Sequence, residues 1–367
     1  MKQTNIESAI SPPPQHIDNN LRLARLRQCG RVDLFKHALP AQFGGVNTDF
    51  PQLVEHHKQL GYSTHDTGLI LAVNAHVWGT VFPLIKHAND LQVQEWLPGL
   101  ISGKLIGGHA ITEAHSGSDP SAMRSKAIAN QHGYLLNADK CYITNATIAD
   151  LLVVYVMLDD QPTGFVVSKH DSGFHTEPTV LKSCRGASMG KVLLDNCQLD
   201  KSRLLGKPGM GLQLIQQALE LERAYIFAGI SGIMEWQLEQ IIDYSRRRQS
   251  GTVHLGKHQA ISHKIADMKL RLDTIQLWVN QCATLSNNQQ RITLPAAQTK
   301  LYASEAFLQS SLDAVHIMGA HGLDPDTGIT ELVADAMAGK LFSGSSEIQK
   351  NIIAALSGTG DGFKGRI

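Results

Sequence analysis

One carboxylate stands on an apolar helical stripe. Between Gly211 and Tyr244, Leu212, Ile215, Leu219, Glu222, Ile226, Ile230 and Ile233 recur at three- and four-residue spacing, the mark of one helix face. Glu222 is the lone carboxylate on that face. A charge there must leave water, at a cost of about several kcal/mol unless a partner or a task offsets it. Burial also favours the protonated form, which moves a carboxyl toward the range of a general base. The alternative is a buried ion pair with the adjacent Arg223 or with an arginine elsewhere.

Two further segments carry chemistry. His109 to Asp119, reading His-Ala-Ile-Thr-Glu-Ala-His-Ser-Gly-Ser-Asp, is a loop of small residues, hydroxyls and accessible amides. Such a loop hydrogen-bonds a flat heterocycle or simply connects two elements. Lys140 to Ala146 places Tyr142 two residues from Thr144. On a strand those side chains share a face, suited to one wall of a stacked ring or to a core.

Three regions hold these segments. A polar start with Pro12-Pro13-Pro14 reads as a disordered tail over 1–17. A helical domain is expected over 18–106, with helices at Leu53 to Leu60, Thr67 to His87 and Asp90 to Ser102. A β domain is expected over 107–206, where short runs (Tyr134 to Leu136, Leu151 to Leu158, Gly164 to Val167, Val192 to Leu194) alternate with Gly, Asn and Asp turns. Long helices return over 207–367, at Gly211 to Tyr244, His258 to Leu285, Ala296 to Met318 and Ser346 to Leu356, with a polar connection at Asn287 to Arg291. Ser346 with Gln349 has capping-box spacing, which sets Ser345 just ahead of a helix N-terminus.

Composition narrows the partners. The chain has 367 residues, 43% of them hydrophobic, enough for two or three domains. Lys+Arg and Asp+Glu are 33 each, so no field of one sign invites nucleic acid or an anionic membrane. No apolar run is expected to span a membrane. Five scattered cysteines show no metal or redox spacing, and a reducing cytoplasm is the default. His254, His258 and His263 show no repeated ligand geometry, so no metal is expected.

The segments in order resemble the acyl-CoA dehydrogenase family. Its T-E-(x)3-G-S-D and W-I-T-N hallmarks are matched by Thr112 to Asp119 and Tyr142 to Asn145. Its R-x-Q-F-G…HQ stretch is similar to Arg248-Gln249-Ser250-Gly251-Thr252…His258-Gln259, and Ala260 to Met268 is similar to the helix that follows. His316 to Gly322 resembles its Q-x-x-G-G-x-G turn, and Leu341 to Gln349 its Y-x-G-T-S-E-I-Q loop.

The resemblance implies an α+β multidomain fold: an N-terminal helical domain, a central β-barrel-like domain and a C-terminal four-helix bundle. It implies FAD held between subunits of a homodimer or homotetramer. Thr112, Tyr142 and Thr144 would line the isoalloxazine ring. Arg248 and Gln249 of a neighbour would meet the pyrophosphate near Gly319, with Arg247 the competing assignment for Arg248. Ser345 and Glu347 would lie on the adenosine side. Ser118 would face the acyl or pantetheine entrance, and Arg223 the substrate.

The implied reaction is α,β-dehydrogenation of an acyl thioester, bound to CoA or to a carrier protein. A carboxylate takes the α-proton and flavin N5 the β-hydride. Electrons pass to an electron-transfer flavoprotein or to O2. Most members place the base just before G-T in the late loop, where this chain has Ser343. A minority place it in an L-E-R segment of the first C-terminal helix, matched by Leu221-Glu222-Arg223. Other departures are the short, arginine-rich Asp18 to Cys29 in place of the opening helix, Tyr142 for tryptophan, Ser250 for an aromatic, His316 for glutamine, Ala320 for glycine, and Ala334-Asp335-Ala336 for R-D-A. They fit a specialised enzyme, such as one acting on a carrier-tethered acyl group. The rival readings are an O2-using oxidase or monooxygenase of the same fold, and a degenerate binding protein.

Overall fold

The computed structural model of the chain describes residues 10–14, 16–37, 39–46 and 49–362. Most of the expected N-terminal tail, residues 1–9 and Gln15, lies outside these. Where the segment is described it is not loose. Ile10 is buried in the helical core, and Arg25 Nη2 donates to the Ser11 carbonyl at 2.9 Å.

Five helices come first. They are α1 (Asn19–Arg31), α2 (Phe50–Thr64), α3 (Thr67–His76), α4 (Phe82–His87) and α5 (Asp90–Ile101). Helix α1 stands where the sequence suggested a shortened or missing element. Asp18, Asp49 and Asp66 cap α1, α2 and α3 with their carboxylates, and Asn89 forms a capping box with Gln92 at α5. Helices α3 and α4 are joined without a break by a π-helical turn, Val77–Val81. The joined span Thr67–His87 has the length and composition of a membrane helix, against expectation. Inside the fold 89% of its most apolar 18-residue window is buried, which marks it as a core helix.

An eight-stranded sheet follows: β1 (Gly107–Ala110), β2 (Lys126–Asn130), β3 (Gly133–Thr144), β4 (Leu151–Leu158), β5 (Gln161–Ser168), β6 (Phe174–Pro178), β7 (Met189–Leu199) and β8 (Leu204–Leu205). The order is β6-β7-β3-β2-β4-β5-β8, with β1 beside β4. Strands β1 and β2 share one edge of β4, both parallel to it. Strand β4 is buried on both faces, as its unbroken apolar run requires. Leu152, Val154 and Val156 point into the core of the sheet domain. Leu151, Val153 and Tyr155 pack instead with Leu97 and Leu100 of α5 and with Leu214 and Ile215 of the next helix. That alternation fixes the sheet to the helices on either side of it.

The C-terminal region contains α6 (Gly211–Arg247), the hairpin pair β9 (Gln249–Ser250) and β10 (Val253–His254), α7 (Gln259–Asn287), α8 (Thr293–Met318), α9 (Glu331–Gly339) and α10 (Ser346–Leu356). The 37-residue α6 is the central rod, with Ile226, Ile230 and Ile233 fully buried.

Candidate active site

Glu222 is 4% exposed, as the stripe predicts. Its surroundings differ from a simple ion pair. Ser343 Oγ, from the loop between α9 and α10, donates to Glu222 Oε1 at 2.8 Å. So the loop position and the helix position meet side chain to side chain. Arg223, the expected ion-pair partner, instead donates through Nε to the Ser343 carbonyl at 2.9 Å. Burial lowers the pKa of its guanidinium, against the pull of Glu222 and Glu220. The ionisable group nearest Glu222 is His109 on β1, whose Nε2 lies 3.5 Å from Oε2. Burial lowers the His109 pKa, with Glu222 acting in the opposite sense. Among the described residues Glu222 Oε2 has no hydrogen-bond partner.

The loop carrying Ser343 is held through its main chain. Lys300 Nζ, fully buried on α8, donates to the Lys340 carbonyl at 3.1 Å. Burial, with Arg223 nearby, brings its ammonium down to about 7. Gln349 Nε2 donates to the Gly344 carbonyl at 2.8 Å. Ser343 itself is held at a φ of 54°, an uncommon region for a residue with a side chain. The cap of α10 is Ser345, whose Oγ accepts from Ile348 N. The expected Ser346–Gln349 capping box does not form, and the cap lies one residue earlier. Ser346 Oγ is spent on Glu305, and Gln349 faces back into the loop. Glu347 sits exposed in the first turn of α10, where the helix dipole favours a carboxylate.

On the sheet, the Thr112 carbonyl accepts from Cys141 N at 3.0 Å, which sets Thr112 beside the Tyr142–Thr144 segment. Tyr142 falls in a register shift of β3, has a φ of 55° and is 61% exposed. Thr144 is half-buried, while Cys141 and Ile143 face the core. The shared face of Tyr142 and Thr144 thus comes with a bulge, which re-aims the aromatic ring. Ser118 is exposed in the turn that follows Thr112. Beneath it runs a buried ion pair that the sequence reading missed. Lys140 Nζ donates to Glu113 Oε1 at 2.7 Å, and the amides of Arg124 and Ser125 donate to the same carboxylate. Burial alone would push Glu113 upward, but these donors bring it down to about 2.

A second group of predicted residues gathers at the far end of α6. Arg248 lies just past that helix, and an open pocket of about 410 Å³ is lined by Tyr244, Arg248, Met318, Ala320 and His321. Arg247 is paired with Asp243, which leaves Arg248 as the guanidinium at the pocket. Gln249 turns to His254 across the β9–β10 hairpin. Gly319 ends α8 at φ 61° and ψ −138°, a conformation open to glycine alone, and a side chain there would meet only empty space. At ~1.5 Å rise per residue, Arg248 lies roughly 40 Å from the Glu222 of its own chain. The structure thus brings Glu222, Arg223 and Ser343 together and sets Arg248, Gln249 and Gly319 apart. An uncovered aromatic ring, a cation at an open pocket and an unpartnered buried carboxylate oxygen are the features that a flavin dinucleotide and its substrate need. Among the described residues, no group of three or more His, Cys, Asp or Glu is placed to hold a metal.

Family models for the acyl-CoA dehydrogenase N-terminal, middle and C-terminal domains match residues 5–104, 108–197 and 209–357. The chain belongs to the acyl-CoA dehydrogenase family. Among its relatives is an L-prolyl-[peptidyl-carrier protein] dehydrogenase of Pseudomonas fluorescens, 34% identical over 89% of this chain and 88% of that one. An acyl-CoA dehydrogenase of Bacillus subtilis is 32% identical over 90% and 88%. Of solved family structures, the prolyl acyl carrier protein oxidase AnaB aligns with a TM-score of 0.89 and 34% identity, covering 92% of this chain and 90% of AnaB. PigA with FAD and proline aligns at 0.89 and 26%, covering 97% and 92%.

Proposed function

We propose that this protein is an FAD-dependent dehydrogenase of an acyl thioester, with Glu222 as the base that takes the α-proton. The observation that carries this reading is the contact between Glu222 Oε1 and Ser343 Oγ. The family base position and the carboxylate this chain has instead reach the same point. Among the described residues nothing hydrogen-bonds Oε2 of the buried carboxylate, which leaves that oxygen to accept the proton. No arginine or lysine among the described residues forms an ion pair with it; Arg223 and Lys300 bond loop carbonyls instead. Bound FAD supplies the two-electron acceptor for the β-hydride. Thr112, Tyr142 and Thr144 are assigned to the flavin ring, and Ser345 and Glu347 to the adenosine side. Arg248, Gln249 and Gly319 are assigned to the pyrophosphate of a neighbouring copy, since roughly 40 Å separates Arg248 from its own Glu222. A homo-oligomer follows from that assignment. Ser118 is assigned to the substrate entrance. Arg223, its Nε held by the loop, keeps its terminal nitrogens for the substrate.

The substrate class we favour is a carrier-bound prolyl thioester. Support comes from the 34% identity to the Pseudomonas prolyl-carrier dehydrogenase and the match to AnaB. Anaerobic flavin reduction tests it, with prolyl-carrier thioester set against short acyl-CoAs. Bleaching by the carrier thioester alone is expected; bleaching by acyl-CoA alone overturns the carrier assignment. The oxidase in AnaB's name favours O2 as a second reading for the acceptor. The rate at which air reoxidises the reduced protein decides between O2 and an electron-transfer flavoprotein.

A further inference from the structure

We infer that His109 is a positioning residue for Glu222, holding the free carboxylate oxygen in line for the substrate. The inference rests on Glu222 as the base. It begins with how firmly His109 is placed. Gly107 N donates to His76 Nδ1 at 2.9 Å, Asn145 Nδ2 donates to the Gly107 carbonyl at 3.0 Å, and Thr80 Oγ1 donates to the Gly108 carbonyl at 2.8 Å. On its other side β1 is registered on β4, with His109 opposite Val153. The imidazole lies on Gly79, in the π-helical turn. A Cβ at position 79 would come within 2.7 Å of the ring. Only glycine leaves room for it there, and π turns of this kind gather at functional sites.

The chemistry of the pair is unsatisfied on both sides. His109 Nδ1 and Glu222 Oε2 are each buried with no hydrogen-bond partner among the described residues. The Nε2–Oε2 separation of 3.5 Å is long for a hydrogen bond. Catalytic hydrogen bonds are often long in ligand-free enzymes and tighten when substrate arrives. With its proton on Nε2, a neutral imidazole donates to Oε2 and orients it. A carboxylate oxygen has two lone pairs, so the second stays available for the α-proton. Among the described residues no other side chain reaches Oε2. Ser343 holds Oε1 from the loop, and Arg223 on α6 places its Nε on the loop carbonyl. That leaves the direction of Oε2 to His109.

The test compares His109→Phe and His109→Gln with wild type and Glu222→Gln, all loaded with FAD. Anaerobic flavin reduction is followed across pH, with KM and FAD content measured in parallel. Phenylalanine fills the space and removes the donor. It should slow reduction about 10- to 100-fold, the range of a hydrogen bond to a charged group. KM and FAD content should hold. The acid side of the pH–rate profile should move to higher pH, because the carboxylate has lost a donor. Glutamine keeps an N–H and should recover most of the rate. An unchanged rate and profile in His109→Phe would overturn the inference, as would equal damage in both variants with loss of FAD. Should His109→Phe not load FAD, the imidazole 15N resonances decide. The His109 signal should move in Glu222→Gln, and its failure to move sinks the pairing. Full activity in Glu222→Gln removes the base assignment itself. An inactive Glu222→Gln beside a normal His109→Phe removes only the role of His109.

Discussion

Moving the base from helix to loop is the sharpest test of the site. Glu222→Gln keeps shape and removes the proton acceptor, so flavin bleaching should fall by ~10²–10⁴ while FAD stays bound. The recovery experiment depends on the 2.8 Å between Ser343 Oγ and Glu222 Oε1. A glutamate at 343 reaches two bonds beyond Oγ, roughly 2.5 Å further. Its carboxylate then falls on the volume that the side chain of residue 222 occupies now. In Glu222→Gln/Ser343→Glu the two side chains contest that volume, and no gain over Glu222→Gln is expected. In Glu222→Ala/Ser343→Glu the space is vacated and the new carboxylate can enter it. That variant should exceed Glu222→Ala by at least about 10-fold. Full recovery is not expected, since a ~1 Å misplacement costs ~10²-fold. Stopped-flow loss of flavin absorbance without oxygen gives the rates, and the starting absorbance gives the FAD content. A fully active Glu222→Gln would refute the reasoning. So would equal behaviour of the two double variants, because the contact would then lie outside the working site.

Arg248→Ala should release FAD about 10- to 100-fold more readily, the value of a lost charge-assisted contact of about 1.5–3 kcal/mol, measured by flavin retained on gel filtration. Static light scattering should return a dimer or tetramer for the FAD-loaded protein; a stable loaded monomer contradicts the sharing of Arg248 between copies. Asp335→Asn should gain stability relative to wild type as pH rises from about 4 to about 7. Burial chiefly, helped by Asp66, raises the Asp335 carboxyl from 3.8 to about 7. The folded chain therefore keeps a proton that the unfolded chain releases above about pH 4, a contribution that weakens stability between pH 4 and 7, while His37, His65 and His76, held by burial at about 4, strengthen it over the same window. Thermal melts of both proteins should show the variant gaining on wild type by about 1–3 kcal/mol across that window.

The long helices and Glu222 were legible because a 3.6-residue period survives in one sequence and a lone carboxylate interrupts it. Strands β2 and β6 were missed, and so was α9. Each is short, and exposed positions break its pattern. His109 was passed over because nothing in Gly107-Gly108-His109-Ala110 says which helix the strand will face. Its signal, a polar residue just after two glycines, gains meaning only from Gly79 and Glu222 in space. Ser343 was read as the absence of a base, whereas its hydroxyl holds the base that is present. The Lys140–Glu113 pair was also hidden, since partners 27 positions apart leave no periodic trace.

Three side chains grip the loop at 340–344 by its carbonyls: Arg223 on residue 343, Lys300 on residue 340, Gln349 on residue 344. None of these bonds depends on what side chain residue 343 carries. A lineage could therefore exchange glutamate for serine there without rebuilding the loop.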